Sequence, residues 1–159
     1  MSWSPKPLEF APGIWRTLMQ DLWRRGSGCR EAGAFLVAAR QDLRAVVSRW
    51  IPYDELDPNA LRQLYVKLEP SAFSRLSEFC SALNLQVVAD IHTHPYEPVQ
   101  SESDREHPML SIPGHIALVA PRFAHGVIAP ADVSFNVYLG AGEWFSCFGS
   151  KAAALVVAP

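Results

Sequence analysis

The run "LQVVADIHTH", residues 85–94, constrains this chain more than any other segment. Its apolar residues do not alternate with polar ones, as on a half-exposed strand. They follow one another almost without break, the pattern of a strand buried on both faces near the middle of a sheet. Pro95 ends the run, because proline has no N–H to give to a ladder. A sheet with such a strand needs helices to cover it, and two segments qualify. Residues 13–25, "GIWRTLMQDLWRR", place Ile14, Leu18, Leu22 and Trp23 at helical spacing, with basic residues near the end and Gly26 after it. "AFSRLSEFCSALN", 72–84, puts Phe73, Leu76, Phe79, Cys80 and Leu83 on one face, with Ser71 as its expected cap.

The remaining apolar stretches read as strands: 31–40, 44–53, 64–70, 114–121, 132–140 and 143–149. Residues 54–62 are loop-like, "SESDREH" at 101–107 opens a short helix, and the apolar tail 152–159 is expected to form a last strand or a docked terminus. Strands around two good helices predict a mixed α/β fold with one central sheet flanked by helices. The length of 159 residues suits one domain over 1–159, and 49% hydrophobic residues suffice for a core.

Charge and cysteine usage narrow the function classes. A net charge of −2 implies no basic face, so nucleic acid and anionic membrane are not expected partners. Cys29, Cys80 and Cys147 are odd in number and lack a Cys-x-x-Cys pair, which argues against a disulfide framework and for a reducing, cytoplasmic setting. No apolar run reaches the length of a membrane span, and residues 1–12 have no secretory apolar core.

The chemistry concentrates at the end of the central strand. Residues two apart on a strand face the same side, so His92 and His94 project together, roughly 7 Å apart at the backbone. Two imidazoles at that spacing can share a cation held about 2 Å from each. Thr93 points the other way. Asp104 falls in the first turn of the helix opened by Ser101, within reach as a third donor. Ser101 and Asp104 also have the spacing of a helix-capping pair, a purely structural alternative. Two imidazoles, one carboxylate and an open position form the donor set of a catalytic zinc. Such a site needs a base, and Glu31, just ahead of Gly33 where a backbone can approach closely, is the candidate.

Glu31, then His-Thr-His-Pro at 92–95, then Ser101-x-x-Asp104 resembles the JAMM family of zinc metalloproteases, also called JAB or MPN-plus. The resemblance spans most of the chain and is closest to the small stand-alone bacterial type. One feature departs from the pattern: six residues, 95–100, separate His94 from Ser101, one fewer than is usual. Ser103 with Glu106 would lengthen the gap to eight, so Asp104 and Glu106 compete as third ligand; Asp104 matches the family's residue type.

The resemblance implies a cytidine-deaminase-like MPN/JAB fold. It also implies one catalytic Zn2+ on His92, His94 and Asp104, with Glu31 as general base and Ser101 as donor to the oxyanion. The implied activity is that of an isopeptidase that removes, or processes at its C-terminus, a ubiquitin-like modifier. The expected partners are that modifier or its conjugate, its tail bound as an extended strand against residues 54–66 and 96–100, and E1-like and E2-like enzymes of an antiphage conjugation system. Two other classes compete: a non-catalytic MPN-type binding scaffold, and a non-haem iron oxygenase with a two-His, one-carboxylate triad. His107 reads as a solvent residue, His115 and His125 as satisfied core or loop histidines, and Cys29 as a buried or inert cysteine despite lying two residues before Glu31.

Overall fold

The computed structural model describes residues 3–62 and 65–159. Its centre is a six-stranded mixed sheet. The strands are β2 (Gly33–Ala39), β3 (Arg49–Pro52), β4 (Leu85–Thr93), β5 (Ile116–Ala120), β6 (Ser134–Gly140) and β7 (Glu143–Cys147), in the order β3-β2-β4-β5-β6-β7. A small second sheet pairs β1 (Leu8–Glu9) in parallel with β8 (Val156–Val157). Five helices accompany them among the described residues: α1 (Ile14–Gly26), α2 (Tyr53–Leu56), α3 (Pro70–Leu83), α4 (Glu102–Glu106) and α5 (Gly149–Leu155). None is long and apolar enough to cross a membrane.

The central strand lies where the apolar run predicts. β4 sits between β2, to which it is antiparallel, and β5, to which it is parallel. Both faces of its second half are buried, from Ala89 to Thr93, and β2 is buried at every position from Gly33 to Ala38. The β2–β4 register pairs Gly33 with His92, so the preceding residues, Ala32 and Glu31, fall beside Thr93 and His94. Gly33 is needed for this closeness: a Cβ there would lie 2.3 Å from the Tyr53 ring and 2.7 Å from the Ile91 carbonyl oxygen. In α1, Leu18, Met19 and Leu22 are buried, as the helical spacing requires. In α3 the buried residues are Ala72, Leu76 and Cys80, with Phe73 and Phe79 packed against the core and Leu83 exposed.

Five expectations are corrected. The second helix begins at Pro70 with Glu69 as N-cap, not Ser71; proline at N1 has no N–H to orphan and a φ already helical. Of the expected strand 64–70, Leu64 lies outside the described residues, and Tyr65–Glu69 form no strand. Buried Asp57 shapes that segment instead, its carboxylate accepting the Asn59 N–H at 2.9 Å and the Glu69 N–H at 3.0 Å. Only 49–52 of the expected strand 44–53 joins the sheet, because the chain turns at Asp42, whose carboxylate accepts the N–H groups of Arg44 and Val46. The tail is helical through Leu155, in keeping with its alanines, and only then pairs as a strand with the N-terminal segment. Residues 54–62, read as loop, contain the end of the one-turn helix α2. That turn is fastened to α1 by Arg25, which donates to Asp21 (2.7 Å), Asp54 (3.0 Å) and Glu55 (2.7 Å).

Candidate metal centre

His92 is the penultimate residue of β4, and His94 follows the strand's last residue. The ladder runs on by one bond, since the His94 N–H donates to the Ala120 carbonyl at 2.8 Å, and this holds the second imidazole on the same face as the first. The two Nε2 atoms lie 3.0 Å apart. Both rings are buried, His92 to 8% and His94 to 9% exposure.

The third donor comes from α4. Asp104 Oδ2 is 3.3 Å from His92 Nε2 and 3.2 Å from His94 Nε2. Its orientation is set by a capping box: the Ser101 N–H donates to Asp104 Oδ2 at 2.8 Å, and the Asp104 N–H donates to Ser101 Oγ at 3.1 Å. Capping and convergence on the histidines therefore use the same carboxylate oxygen, which has two lone pairs to offer. Glu106, the rival third donor, is exposed at the helix end and is not among the residues that converge.

The triangle of His92, His94 and Asp104 fits a small cation. Four ligands at 2.0–2.1 Å in a tetrahedron are about 3.3 Å from one another, and the three edges here are 3.0, 3.2 and 3.3 Å. One face of an octahedral iron site has similar edges, so the triangle alone does not select the metal.

Glu31 stands just outside the triangle, with Oε1 3.8 Å from His94 Nε2. Thr93 places it there. The Thr93 N–H donates to the Ala32 carbonyl at 2.8 Å, and Thr93 Oγ1 accepts the Ala32 N–H at 3.0 Å, so the residue after Glu31 is held from both sides. Thr93 is the positioning residue that a reading confined to metal donors misses; its signal is a hydroxyl residue between two histidines, aimed at the neighbouring strand.

Charges in the cluster shift one another. Burial is the largest influence on Glu31 and raises its pKa; the Asp104 charge adds to this, while His94 and His92 act against it. Burial disfavours charge on His92, but the hydrogen bond and charge of Asp104, with Asp90 and Glu31 behind, outweigh it and raise the His92 pKa. Burial pushes Asp104 upward as well, yet its bonds to His92, His94 and the Ser101 N–H hold it far below the usual carboxylate range.

These residues open into a cleft of about 790 Å³ that Glu31, His92, Ser101 and Asp104 help to line. Of the segments expected to border it, Tyr65, Val66 and Gln100 do so; residues 54–62 and 96–99 do not, and 63–64 lie outside the described residues. Among the other candidates, His107 is exposed at the cleft, His115 is buried and bound to Asp90 at 2.6 Å, His125 stacks on Trp23 at 4.3 Å, and Cys29 is exposed.

No family model matches the chain. Two solved structures resemble it in fold. One, the solution structure of a protein from Desulfitobacterium hafniense, is 14% identical, with 96% of this chain and 92% of that one covered and a TM-score of 0.63. The other, the solution structure of a protein from Salinibacter ruber, is 15% identical over the same shares, with a TM-score of 0.56. At such identities the likeness speaks for the fold alone.

Proposed function

We propose that this chain is a zinc-dependent peptidase of the JAMM type, with the cytidine-deaminase-like arrangement of that family, acting on amide or isopeptide bonds at the C-terminal tail of a ubiquitin-like modifier. One observation carries the reading: three metal donors converge at the spacing of a tetrahedral face while a partly buried glutamate stands 3.8 Å from one of them. A scaffold that only binds partners would have no use for the two together, and an iron oxygenase would have no use for the glutamate.

A bound zinc ion would supply Lewis acidity and a water acidified toward neutral pH. The residues of the chain do the rest. Glu31 accepts a proton from the attacking water and passes it to the leaving amine, and its raised pKa brings it nearer the range suited to that exchange. The Ser101 Oγ accepts the Asp104 N–H and keeps its own proton free to donate to the oxyanion that forms at the scissile carbonyl. Modifier-conjugating enzymes of the E1-like and E2-like type would be the functional neighbours, and a cytoplasmic setting fits three unpaired cysteines.

The test is a lysine-linked fusion of a ubiquitin-like domain, incubated with the protein with and without a chelator. Cleavage should require metal. Glu31→Gln should keep the metal and lose activity by a factor of about 100 to 10,000. Cleavage that survives chelation, or full turnover by the Glu31→Gln protein, would refute the proposal.

A further inference from the structure

The cleft holds a polar side chain that neither the donor triangle nor Glu31 employs. Gln100 is 9% exposed and lines the cleft, while its Oε1 is turned away from solvent and has no hydrogen-bond partner among the described residues. Native proteins rarely bury an amide without pairing it, because the desolvation is then uncompensated. Gln100 also directly precedes Ser101, and the same cleft is walled by Val66, Leu68, Phe73, Met109 and Trp144.

We infer that Gln100 is a substrate-contacting residue: its side-chain amide pairs with a backbone amide of an extended polypeptide whose apolar side chain rests on that wall. This rests on reading the cleft as a peptidase site. A primary amide carries an acceptor and a donor side by side, the complement of a peptide unit, whereas a charged ligand would call for an ion in its place. Turning the terminal torsion exchanges the two ends and brings the enclosed oxygen round to the cleft, so the amide can offer either its donor or its acceptor to the bound chain. A glutamine at this position selects for an unmodified backbone N–H or C=O at one register of the bound chain, and so acts on specificity rather than on the bond-breaking step.

The experiment compares Glu31→Gln protein with the Glu31→Gln, Gln100→Leu double variant, both incubated with zinc. The probe is a capped, fluorescein-labelled peptide of alternating leucine and glycine, together with versions methylated at a single backbone nitrogen; anisotropy gives each Kd. The double variant should bind the parent peptide about tenfold more weakly. One methylated version should be weakened as much in the Glu31→Gln protein and lose nothing further in the double variant. Gln100→Leu alone should melt at the same or a higher temperature than the unmutated protein, because leucine removes an unpaired buried group; an amide with a structural role would lower it. Equal Kd values for the two proteins, or a lowered melting temperature, overturn the role of Gln100. No saturable binding to either protein overturns it too. In each case zinc-dependent cleavage of the fusion still judges the peptidase reading on its own.

Discussion

Two histidine–carboxylate groups sit on one face of β4, two residues apart, and they differ in what they lack. Asp90 and His115 form a closed pair: Nε2 to Oδ2 at 2.6 Å, both side chains almost wholly buried, each supplying what the other needs. His92, His94 and Asp104 form an open set, in which two ring nitrogens and a carboxylate oxygen face one another at 3.0 to 3.3 Å. Protons on the rings can serve only the one carboxylate oxygen, which also accepts the Ser101 N–H, whereas a divalent cation bonds to all three atoms at once. A buried histidine beside an acid is thus not in itself a metal site; three donor atoms converging on one point, rather than two meeting as a pair, is what separates the two groups.

Substitution should break the comparison most sharply. His92→Ala should abolish stoichiometric zinc binding, measured by dialysis and elemental analysis, and leave a folded protein. His115→Ala should do the reverse: zinc is retained, but the stranded Asp90 costs about 3–5 kcal/mol of stability, a fall of roughly 10 °C in melting temperature for a chain of this size. Metal lost from His115→Ala, or kept by His92→Ala, would mean that the open and closed groups have been assigned the wrong way round.

The sequence made the donors of the open group visible because they lie close together in the chain. A strand with period two aligns His92 with His94, and a helix start brings Asp104 back over a loop of six residues. The closed pair was far less legible. Asp90 is plain enough on the strand, but its partner His115 lies 25 residues on, and only the parallel pairing of β4 with β5 brings them together. Glu31 belongs to the same class. Its nearness to His94 depends on the β2–β4 register, and a register between distant strands has no local signature. Gly33 was the one available hint, since a position that tolerates no Cβ marks where strand, ring and carbonyl meet. The misread segments share a cause as well. Residues 65–69 have strand-like composition without a neighbouring strand to pair with, and 152–155 are apolar but made mostly of alanine, which helix propensity claims first.

Thr93 stands between His92 and His94 in the chain but on the other side of the strand, where its two bonds to Ala32 anchor the residue beside Glu31. Thr93→Val keeps the shape and removes the oxygen that accepts the buried Ala32 N–H. It should cost about 1–3 kcal/mol of stability, leave the zinc Kd unchanged, and lower kcat for the fusion more than it raises KM. An unchanged kcat beside the expected stability loss would reduce Thr93 to a fold residue and detach Glu31's position from it.

Protons should sharpen the distinction last and most gently. The His92 pKa lies above its ordinary value, chiefly because Asp104 outweighs the effect of burial, so a cation entering the open triangle must displace a proton held more tightly than usual. The sign follows directly. Above the raised His92 pKa the ring is neutral and zinc affinity is at its plateau; below it, each unit of falling pH weakens zinc about tenfold for the one proton displaced. Competition with a chelating dye between about pH 6 and 8 measures the slope. Asp104→Asn takes away the charge that holds the His92 proton, so its slope should begin at lower pH, although its plateau affinity is weaker for want of a ligand. If the onset does not move, the proton in the triangle is held by Asp90 or Glu31, whose charges also act on His92, and in the first case the open group borrows from the closed one after all.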